Sequence, residues 1–96
     1  MSARPSSLAN ARSSKLFTIG RVLVILELDF PELSNSKLRF LEEQGLVTPQ
    51  RTDSGYRKFT EEDVDRLRII LELQRDQYLP LKVIRQYLDD LDAGKS

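Results

Sequence analysis

The stretch that most constrains the fold of this chain is residues 34–59, because it joins a helix with two end signals to a tight turn. Ser34 can accept a hydrogen bond from the free N–H groups at a helix start, so it predicts a helix over residues 34–44. Gly45 follows, and glycine readily takes the left-handed conformation that ends many helices. Residues 53–55, Asp-Ser-Gly, predict the tip of a β-hairpin between extended flanks.

Three further helices are predicted around this unit. The first begins at Thr18, carries apolar residues at helical spacing and ends before Pro31, since the residue before a proline is pushed out of the α region. Thr60 caps another helix, whose first turn is acidic, as the helix dipole favours. Pro80 fits the first turn of the last helix. The expected fold is mostly α, a winged helix-turn-helix with four helices and a small β-hairpin wing.

The composition excludes several classes of function. The 96 residues include neither Cys nor His, so we expect no enzyme, no cofactor and no metal site. The acidic run at residues 61–65 is explained by a helix first turn, and residues 89–92 lack the glycine and spacing of a calcium loop. The longest apolar run, residues 22–26, is too short to span a bilayer, and no signal segment is apparent, so a cytoplasmic location without membrane contact is expected.

A net charge of zero conceals a segregation along the chain. Residues 1–15 carry +3 and residues 34–60 carry +2, whereas residues 16–33 carry −2, residues 61–79 carry −3 and residues 80–96 balance. A local basic patch matters more for binding phosphates than the total charge. The alternative is an ordinary surface of mixed charge.

The predicted helix 34–44 carries polar and cationic side chains near its start. Its exposed early positions are Asn35, Ser36, Lys37 and Arg39. In a helix-turn-helix the second helix enters the major groove with its N-terminal residues leading, where Asn, Lys and Arg can pair with base edges. The alternative is a solvated face on which these cations pair with Glu42 and Glu43. From this helix alone, both interpretations stay open.

The predicted hairpin adds cationic and aromatic side chains. Around its turn lie Arg51, Ser54, Gly55, Tyr56, Arg57 and Lys58. The cations can contact phosphates, Tyr56 can reach a sugar and a phosphate, and Gly55 lets backbone come close. The alternative is that Tyr56 packs in the core and Arg57 pairs with Asp53. Alternation puts Arg57 on the face of the expected core residue Phe59, so either Tyr56 or Arg57 points outward, and the twist of a short ribbon can expose both.

The ends of the chain differ in composition from its middle. Residues 1–15 are rich in Ser, Ala, Asn and Arg, which predicts a disordered lead-in, with an expression remnant or a basic arm on DNA as alternatives. The winged helix-turn-helix domain is expected over residues 16–92. Residues 93–96 are expected to form a short disordered tail.

Four groups of residues resemble one known family. They are residues 18–20 (Thr-Ile-Gly), 38–46 (from Leu-Arg-Phe to Gly-Leu), 55–60 (Gly-Tyr-Arg-Lys-Phe-Thr) and 63–67 (Asp-Val-Asp-Arg-Leu). In this order they resemble the DNA-binding domain of MerR-type transcriptional regulators. The resemblance covers about residues 17–91, which is most of the chain.

The resemblance implies a four-helix winged helix-turn-helix that acts as a dimer on an inverted-repeat promoter. Members of the family distort the spacer DNA so that RNA polymerase can use poorly spaced promoter elements. The implied partners are therefore double-stranded DNA, a second copy of the chain and, indirectly, RNA polymerase, on the nucleoid. Helix 34–44 would lie in the major groove and the wing, residues 50–59, on the flanking backbone. Residues 74–85 look closest to an actinobacterial subgroup implicated in the control of cell-division genes.

The patterns of helix 34–44 and the hairpin, together with the family resemblance, give one set of candidate DNA-binding residues. They are Thr18, Ser34, Asn35, Ser36, Lys37, Arg39, Phe40, Arg51, Ser54, Gly55, Tyr56, Arg57 and Lys58. Carried over by position, Lys37 and Arg39 would lie on the recognition helix. Arg51, Tyr56 and Arg57 would lie on the wing.

Several positions depart from the family pattern. Arg is common where this chain has Ser36, and aromatic residues where it has Phe40 and Leu41, which alters base preference and removes a tyrosine hydroxyl contact. Tyr78 replaces a common glycine, and Pro80 a capping serine. The family's long dimerisation helix and effector domain are absent. We therefore expect a truncated DNA-binding domain whose dimer needs the missing segment; a small regulator complete in itself is the alternative.

Two other functions fit the same residues. One is an architectural or excisionase-like protein that bends DNA cooperatively. The other is a protein–protein interaction module that uses the apolar and tyrosine-bearing faces of the helices beginning at Thr60 and Pro80.

Overall fold

The computed structural model describes residues 15–94. This part of the chain forms four helices and a small three-stranded antiparallel sheet. In chain order the elements are β1 (Leu16–Phe17), α1 (Ile19–Leu26), α2 (Asn35–Glu43), β2 (Gln50–Arg51), β3 (Arg57–Thr60), α3 (Glu61–Gln77) and α4 (Leu81–Asp92). This is the mostly helical winged helix-turn-helix fold that the sequence predicts, with β2 and β3 as the wing hairpin.

The strand order is β1-β3-β2, so β3 is central and pairs with both neighbours. Phe17 lies opposite Phe59 on one side of β3, and Arg51 lies opposite Arg57 on the other. The sequence interpretation missed β1, because two residues are too few to show the alternation that predicts a strand. β1 joins the start of the domain to the base of the wing.

One apolar core connects every helix to the sheet. Its members come from α1, α2, α3 and α4, from the turns after α1 and α2, and from β3. They are Val22, Leu26, Phe30, Leu38, Leu41, Leu46, Val47, Phe59, Val64, Leu67, Ile70, Leu71, Ile84 and Leu88. Phe59, which the sequence places in the core, is only 1% exposed. Burial of this apolar surface is the main force that holds the wing and the helices as one unit.

The helix ends follow the predicted caps. The side-chain oxygens of Thr18 and Ser34 each accept a hydrogen bond from the backbone amide three residues on, at 3.1 and 3.2 Å. Thr60 and Asp63 form a capping box, in which each side chain accepts from the other's amide, at 3.0 and 2.9 Å. Gly45 ends α2 with a φ of +77°, in the left-handed region. These local contacts fix where the helices begin and end.

The junction between α3 and α4 has an unusual backbone. Tyr78 ends α3 in the left-handed conformation, with φ 54° and ψ 32°, at the position where the family resemblance leads one to expect glycine. Its side chain is 86% exposed, so packing does not offset the strain of this conformation. Pro80 is the N-cap of α4 rather than a first-turn residue, a difference of one position from the prediction.

Only part of the two predicted end segments, residues 1–15 and 93–96, lies within the described residues. Of residues 1–15, only Lys15 is described, and its Nζ lies 3.9 Å from Glu61 Oε2. Of residues 93–96, the last two lie outside the described part of the chain. Between residues 15 and 94, none of the helices has the length and apolarity needed to cross a membrane.

Candidate nucleic-acid interface

Helix α2 has one buried face and one exposed face. Leu38 and Leu41 are 1% and 0% exposed and fix the inner face against the core. Because an α-helix turns every 3.6 residues, the remaining positions point away from the core. We call five of these positions, all in the first two turns, the outer face of α2: Asn35, Ser36, Lys37, Arg39 and Phe40. The packing of two leucines thus presents one side of α2 to an external partner.

The cations of this outer face have few internal contacts. The Lys37 ammonium lies 5.8 Å from the centre of the Phe40 ring, within the range of a cation–π interaction. Arg39 is exposed, and within residues 15–94 it makes no ion pair or side-chain hydrogen bond. The suggestion that these cations pair with Glu42 is wrong, since Glu42 binds two arginines of the wing instead. Arg39 is therefore available to an external acceptor.

Thr52 organises the tip of the wing. Its carbonyl accepts from the Gly55 amide at 2.8 Å, and its amide donates to the Tyr56 carbonyl at 2.9 Å. Its hydroxyl also accepts from the Tyr56 amide at 3.0 Å. Gly55 has a φ of +91°, which a residue with a side chain rarely adopts. The turn is therefore closed by its own backbone, with Ser54 and Gly55 exposed at its end.

The wing side chains divide between outward and inward positions. Tyr56 is 71% exposed, so the suggestion that it packs in the core is wrong. Arg57 pairs with Glu42 and not with Asp53, which corrects the second part of that alternative. The physical reason is alternation: Arg57 shares the inner face of β3 with Phe59, and this face meets the last turn of α2. Arg57 therefore points inward, while Tyr56 points outward.

Glu42 lies where α2 meets the wing. Its Oε1 accepts from Arg57 Nε at 2.6 Å, and its Oε2 accepts from Arg51 Nη2 at 3.4 Å. Partial burial raises the pKa of Glu42, but the hydrogen bonds and charges of Arg57 and Arg51 outweigh that effect and lower the pKa below its ordinary value. We call these three residues the Glu42 cluster. The cluster carries a net positive charge while joining two elements of the candidate interface.

Two arginines that the sequence interpretation missed hold the C-terminal end of α2. Arg66 Nε donates to the Leu46 carbonyl at 2.6 Å, and Arg85 Nη1 donates to the Gln44 carbonyl at 3.4 Å. A Cβ at Gly45 would lie 3.3 Å from the Arg85 Cζ, so the glycine also makes room for this guanidinium. The Gln44 carbonyl, at the C-cap of α2, needs such a donor, and Arg66 holds the segment that follows the helix. The sequence predicts that the end of α2 needs a hydrogen-bond donor, but it does not predict which arginine supplies one.

The turn between α1 and α2 is held in a similar way from α3. The Arg75 guanidinium lies 4.7 Å from the centre of the Phe30 ring and donates to the Asp29 carbonyl at 2.9 Å. Arg68 Nη1 lies 2.6 Å from Asp29 Oδ2. These contacts fix the approach to α2. They also show that the basic residues of α3 serve the fold.

The predicted site residues fall into three groups with different status. Thr18 and Ser34 lie at the starts of α1 and α2, where their side-chain oxygens are occupied as caps. The wing residues Tyr56 and Ser54 are open to solvent, and so is the outer face of α2 apart from the half-buried Lys37. Arg51 is half-exposed and Arg57 is largely covered, since both contact Glu42.

Helix α2 has an exposed cationic face, packs on a preceding helix and is followed by a basic hairpin. This arrangement defines a winged helix-turn-helix protein. Comparison with known families agrees with this class. Residues 31–91 match the family described as MerR HTH family regulatory protein, and the chain belongs to that family. This confirms the resemblance drawn from the sequence. Members of this family are transcriptional regulators and not enzymes, as the composition led us to expect.

Individual relatives carry related names. The chain is 62% identical over 78 residues to an uncharacterized HTH-type transcriptional regulator of Mycobacterium tuberculosis, a match that covers 81% of this chain and 32% of the relative. It is 42% identical over 77 residues to the HTH-type transcriptional regulator GlnR of Bacillus cereus, covering 80% and 55% of the two chains. It is 40% identical over 55 residues to MlrA of Escherichia coli, covering 57% and 21%.

The chain thus spans about a third of the length of the mycobacterial relative. That relative agrees with the actinobacterial part of the resemblance. The link to cell-division genes stays a prediction.

Proposed function

We propose that this chain binds a specific double-stranded DNA sequence, with α2 in the major groove and the wing on the flanking backbone. The observation that carries the proposal is the outer face of α2, where Arg39 is exposed opposite the buried Leu38 and Leu41. A recognition helix needs one face for the core and another for base edges, and α2 has this division.

The side chains of the outer face suit direct readout of bases. Arg39 offers a guanidinium that can donate two parallel hydrogen bonds to the O6 and N7 atoms of a guanine. Asn35 can pair with adenine, and Ser36 with several base edges. Lys37 lies near the Phe40 ring, which restricts its motion and favours a defined contact.

The wing suits contact with the sugar-phosphate backbone. Tyr56 is exposed beside the turn, and its ring and hydroxyl can reach a sugar and a phosphate. Lys58 and the half-exposed Arg51 supply positive charge. Phosphate contacts of this kind set the register of a protein on DNA without reading sequence.

We further propose that two copies bind the two halves of an inverted repeat in a promoter and distort the DNA between them, which changes its use by RNA polymerase. Membership of the MerR family supports this arrangement. The match covers only 32% of the mycobacterial relative, and we expect the dimer to need a segment from the rest of such a longer protein. The place of action would be the cytoplasm, on the nucleoid.

Selection of duplexes from a pool of genomic fragments tests the proposal. Fluorescence anisotropy with the selected duplex then compares the wild-type chain with Arg39→Ala and Arg39→Lys at ~50 mM salt, where phosphate contacts are strong. We expect the wild-type chain to enrich an inverted repeat. The Arg39→Ala variant should bind this repeat no more tightly than a shuffled duplex. Failure of the wild-type chain to enrich any sequence, also when it is extended to the length of the mycobacterial relative, would contradict the proposal.

A further inference from the structure

The wing contains two arginines that face each other across the hairpin. Arg51 and Arg57 are direct partners in the register of β2 and β3. Like charges directly opposite each other in an antiparallel pair are destabilising. In this structure the carboxylate of Glu42 lies between them, with one oxygen on each guanidinium, at 2.6 Å from Arg57 and 3.4 Å from Arg51. The hairpin pairing and the last turn of α2 are therefore tied to a single carboxylate.

The contacts continue to the tip of the wing. Arg51 uses Nη2 for Glu42 and Nη1 for the Gly55 carbonyl, at 2.9 Å. Gly55 is in turn bonded to Thr52 within the turn, at 2.8 Å. An unbroken series of hydrogen bonds thus runs from α2 to the end of the wing. Moving the wing relative to α2 would break this series and also the shorter, charge-assisted contact between Glu42 and Arg57.

The Glu42–Arg57 pair is more protected than an ordinary surface pair. The side chains of Glu42 and Arg57 are only 23% and 21% exposed. Solvent and salt screen such partly buried pairs less than exposed ones. The contact therefore fixes geometry more firmly than a pair of fully solvated side chains.

We propose that Glu42 is a positioning residue for DNA recognition: it fixes the wing at one distance and angle from α2, so that backbone contacts by the wing and base contacts by α2 fall in register. This inference rests on the proposed function. In it, Arg57 holds the wing and is not a phosphate contact. Glu42 then supports DNA binding although it is acidic. A search limited to basic residues would not include it.

Simple electrostatics makes the opposite prediction for Glu42. Removing a negative charge from a surface that binds phosphates should strengthen binding to any DNA. The positioning role predicts instead that the preference for the specific sequence falls. The next residue, Glu43, provides a control, because it is also an acidic residue of α2 but is exposed and makes no ion pair within residues 15–94.

The experiment compares Glu42→Gln with Glu43→Gln in the full 96-residue chain. The probes are the duplex selected by the wild-type chain and a shuffled duplex of the same base composition. For Glu42→Gln, binding to the shuffled duplex should be equal or tighter, while the ratio of affinities for selected over shuffled duplex falls about tenfold. Glu43→Gln should leave that ratio within about twofold. Equal ratios in the two variants would overturn the proposal.

Combination with Arg57→Gln tests the role of the arginine. If Arg57 acts through Glu42, adding Arg57→Gln to Glu42→Gln should change the ratio little further. If Arg57 contacts a phosphate, the second substitution should weaken binding to both duplexes as much as it does in the wild-type background, which would overturn the proposal. Circular dichroism and thermal unfolding confirm that each variant is folded before binding is measured.

A measurement without DNA separates this proposal from the proposed function. Hydrogen exchange of the Gly55 and Thr52 amides should become faster in Glu42→Gln and stay unchanged in Glu43→Gln, because the wing opens more easily. Unchanged exchange in Glu42→Gln would overturn the proposal whatever the DNA results. If exchange becomes faster but the wild-type chain prefers no duplex, the proposed function fails, and the role in DNA recognition fails with it.

Discussion

The outer face of α2 and the wing carry the same kinds of side chain and use them differently. On α2, Arg39 is exposed and makes no ion pair or side-chain hydrogen bond within the described residues. On the wing, Arg57 is 21% exposed and bound to Glu42. A count of basic residues near a candidate interface is therefore not a count of residues available to DNA.

The difference follows from the geometry of the two elements. A helix of nine residues can direct two leucines into the core and still present a separate polar face to solvent. The strand β3 has only two faces, and Phe59 commits the inner one to the core. Arg57 lies on that inner face, where an acidic residue of α2 is close enough to pair with it.

The largest expected effect tests whether the wing and α2 share one core. Replacement of Phe59 by Ala should lower the free energy of unfolding by about 3–5 kcal/mol, because the ring is fully buried at the base of the wing. Tyr56→Ala is the matched control and should change it by less than about 0.5 kcal/mol, since Tyr56 is exposed. Urea denaturation measures both. Similar losses in the two variants would mean that the wing does not fold as one unit with the helices.

Substitutions of Arg39 should separate DNA recognition from stability. Arg39→Ala is expected to lose about 1–3 kcal/mol of discrimination between selected and shuffled duplexes, with an unchanged melting temperature. Arg39→Lys keeps the charge but not the planar guanidinium, so it should lose most of the discrimination and little of the non-specific affinity. If Arg39→Ala weakens binding to both duplexes equally, Arg39 contacts a phosphate and not a base.

The Glu42 cluster should make stability depend on pH. The arginines lower the pKa of Glu42 in the folded state. Ionised Glu42 therefore contributes to the free energy of unfolding, by about 1 kcal/mol or less for a pair at the rim of the core. This contribution is complete above the ordinary pKa of a glutamate, ~4.3, and is lost as pH falls through the lower folded value. The difference in unfolding free energy between the wild-type chain and Glu42→Gln should therefore be constant near neutral pH and shrink below about pH 4.

Denaturation curves between about pH 3 and pH 7 measure this difference. Glu43→Gln serves as the control for removal of an acidic charge from the same turn of α2. A difference for Glu42→Gln that grows as pH falls would contradict the assigned direction of the pKa shift.

The smallest effect concerns a single phosphate contact. Lys58→Ala should reduce the slope of log affinity against log salt concentration by about one, equally on selected and shuffled duplexes. Lys82→Ala removes the same charge from α4, outside α2 and the wing, and should leave the slope unchanged. An unchanged slope in Lys58→Ala would remove that residue from the interface.

Local signals in the sequence were sufficient for most of the fold. Thr18, Ser34, Thr60 and Gly45 mark helix ends through contacts within a few residues, and all four are found in those roles. The sequence also predicted Arg39 among the exposed early positions of α2, and Arg39 is exposed in the structure. This part of the candidate site could therefore be predicted without the tertiary structure.

Contacts between distant residues could not be predicted. The strand β1 exists only because Leu16 and Phe17 meet β3 after the chain has folded back. Arg85 and Arg66 reach carbonyls at the end of α2 and just beyond it from two later helices. Periodicity gives the face on which a residue lies but not the element that packs against that face.

The sequence by itself determined the helices, the turn of the wing and the outer face of α2, because caps, turn residues and apolar spacing act over a few residues. Only the tertiary structure decided which cations remain available, because that depends on which acid each one meets across the core. Arg57 lies fifteen positions beyond Glu42 in the chain and 2.6 Å from it in space. Ion pairs form between residues that are close in the folded protein, and a chain with fifteen basic and fifteen acidic residues allows many pairings until packing selects among them.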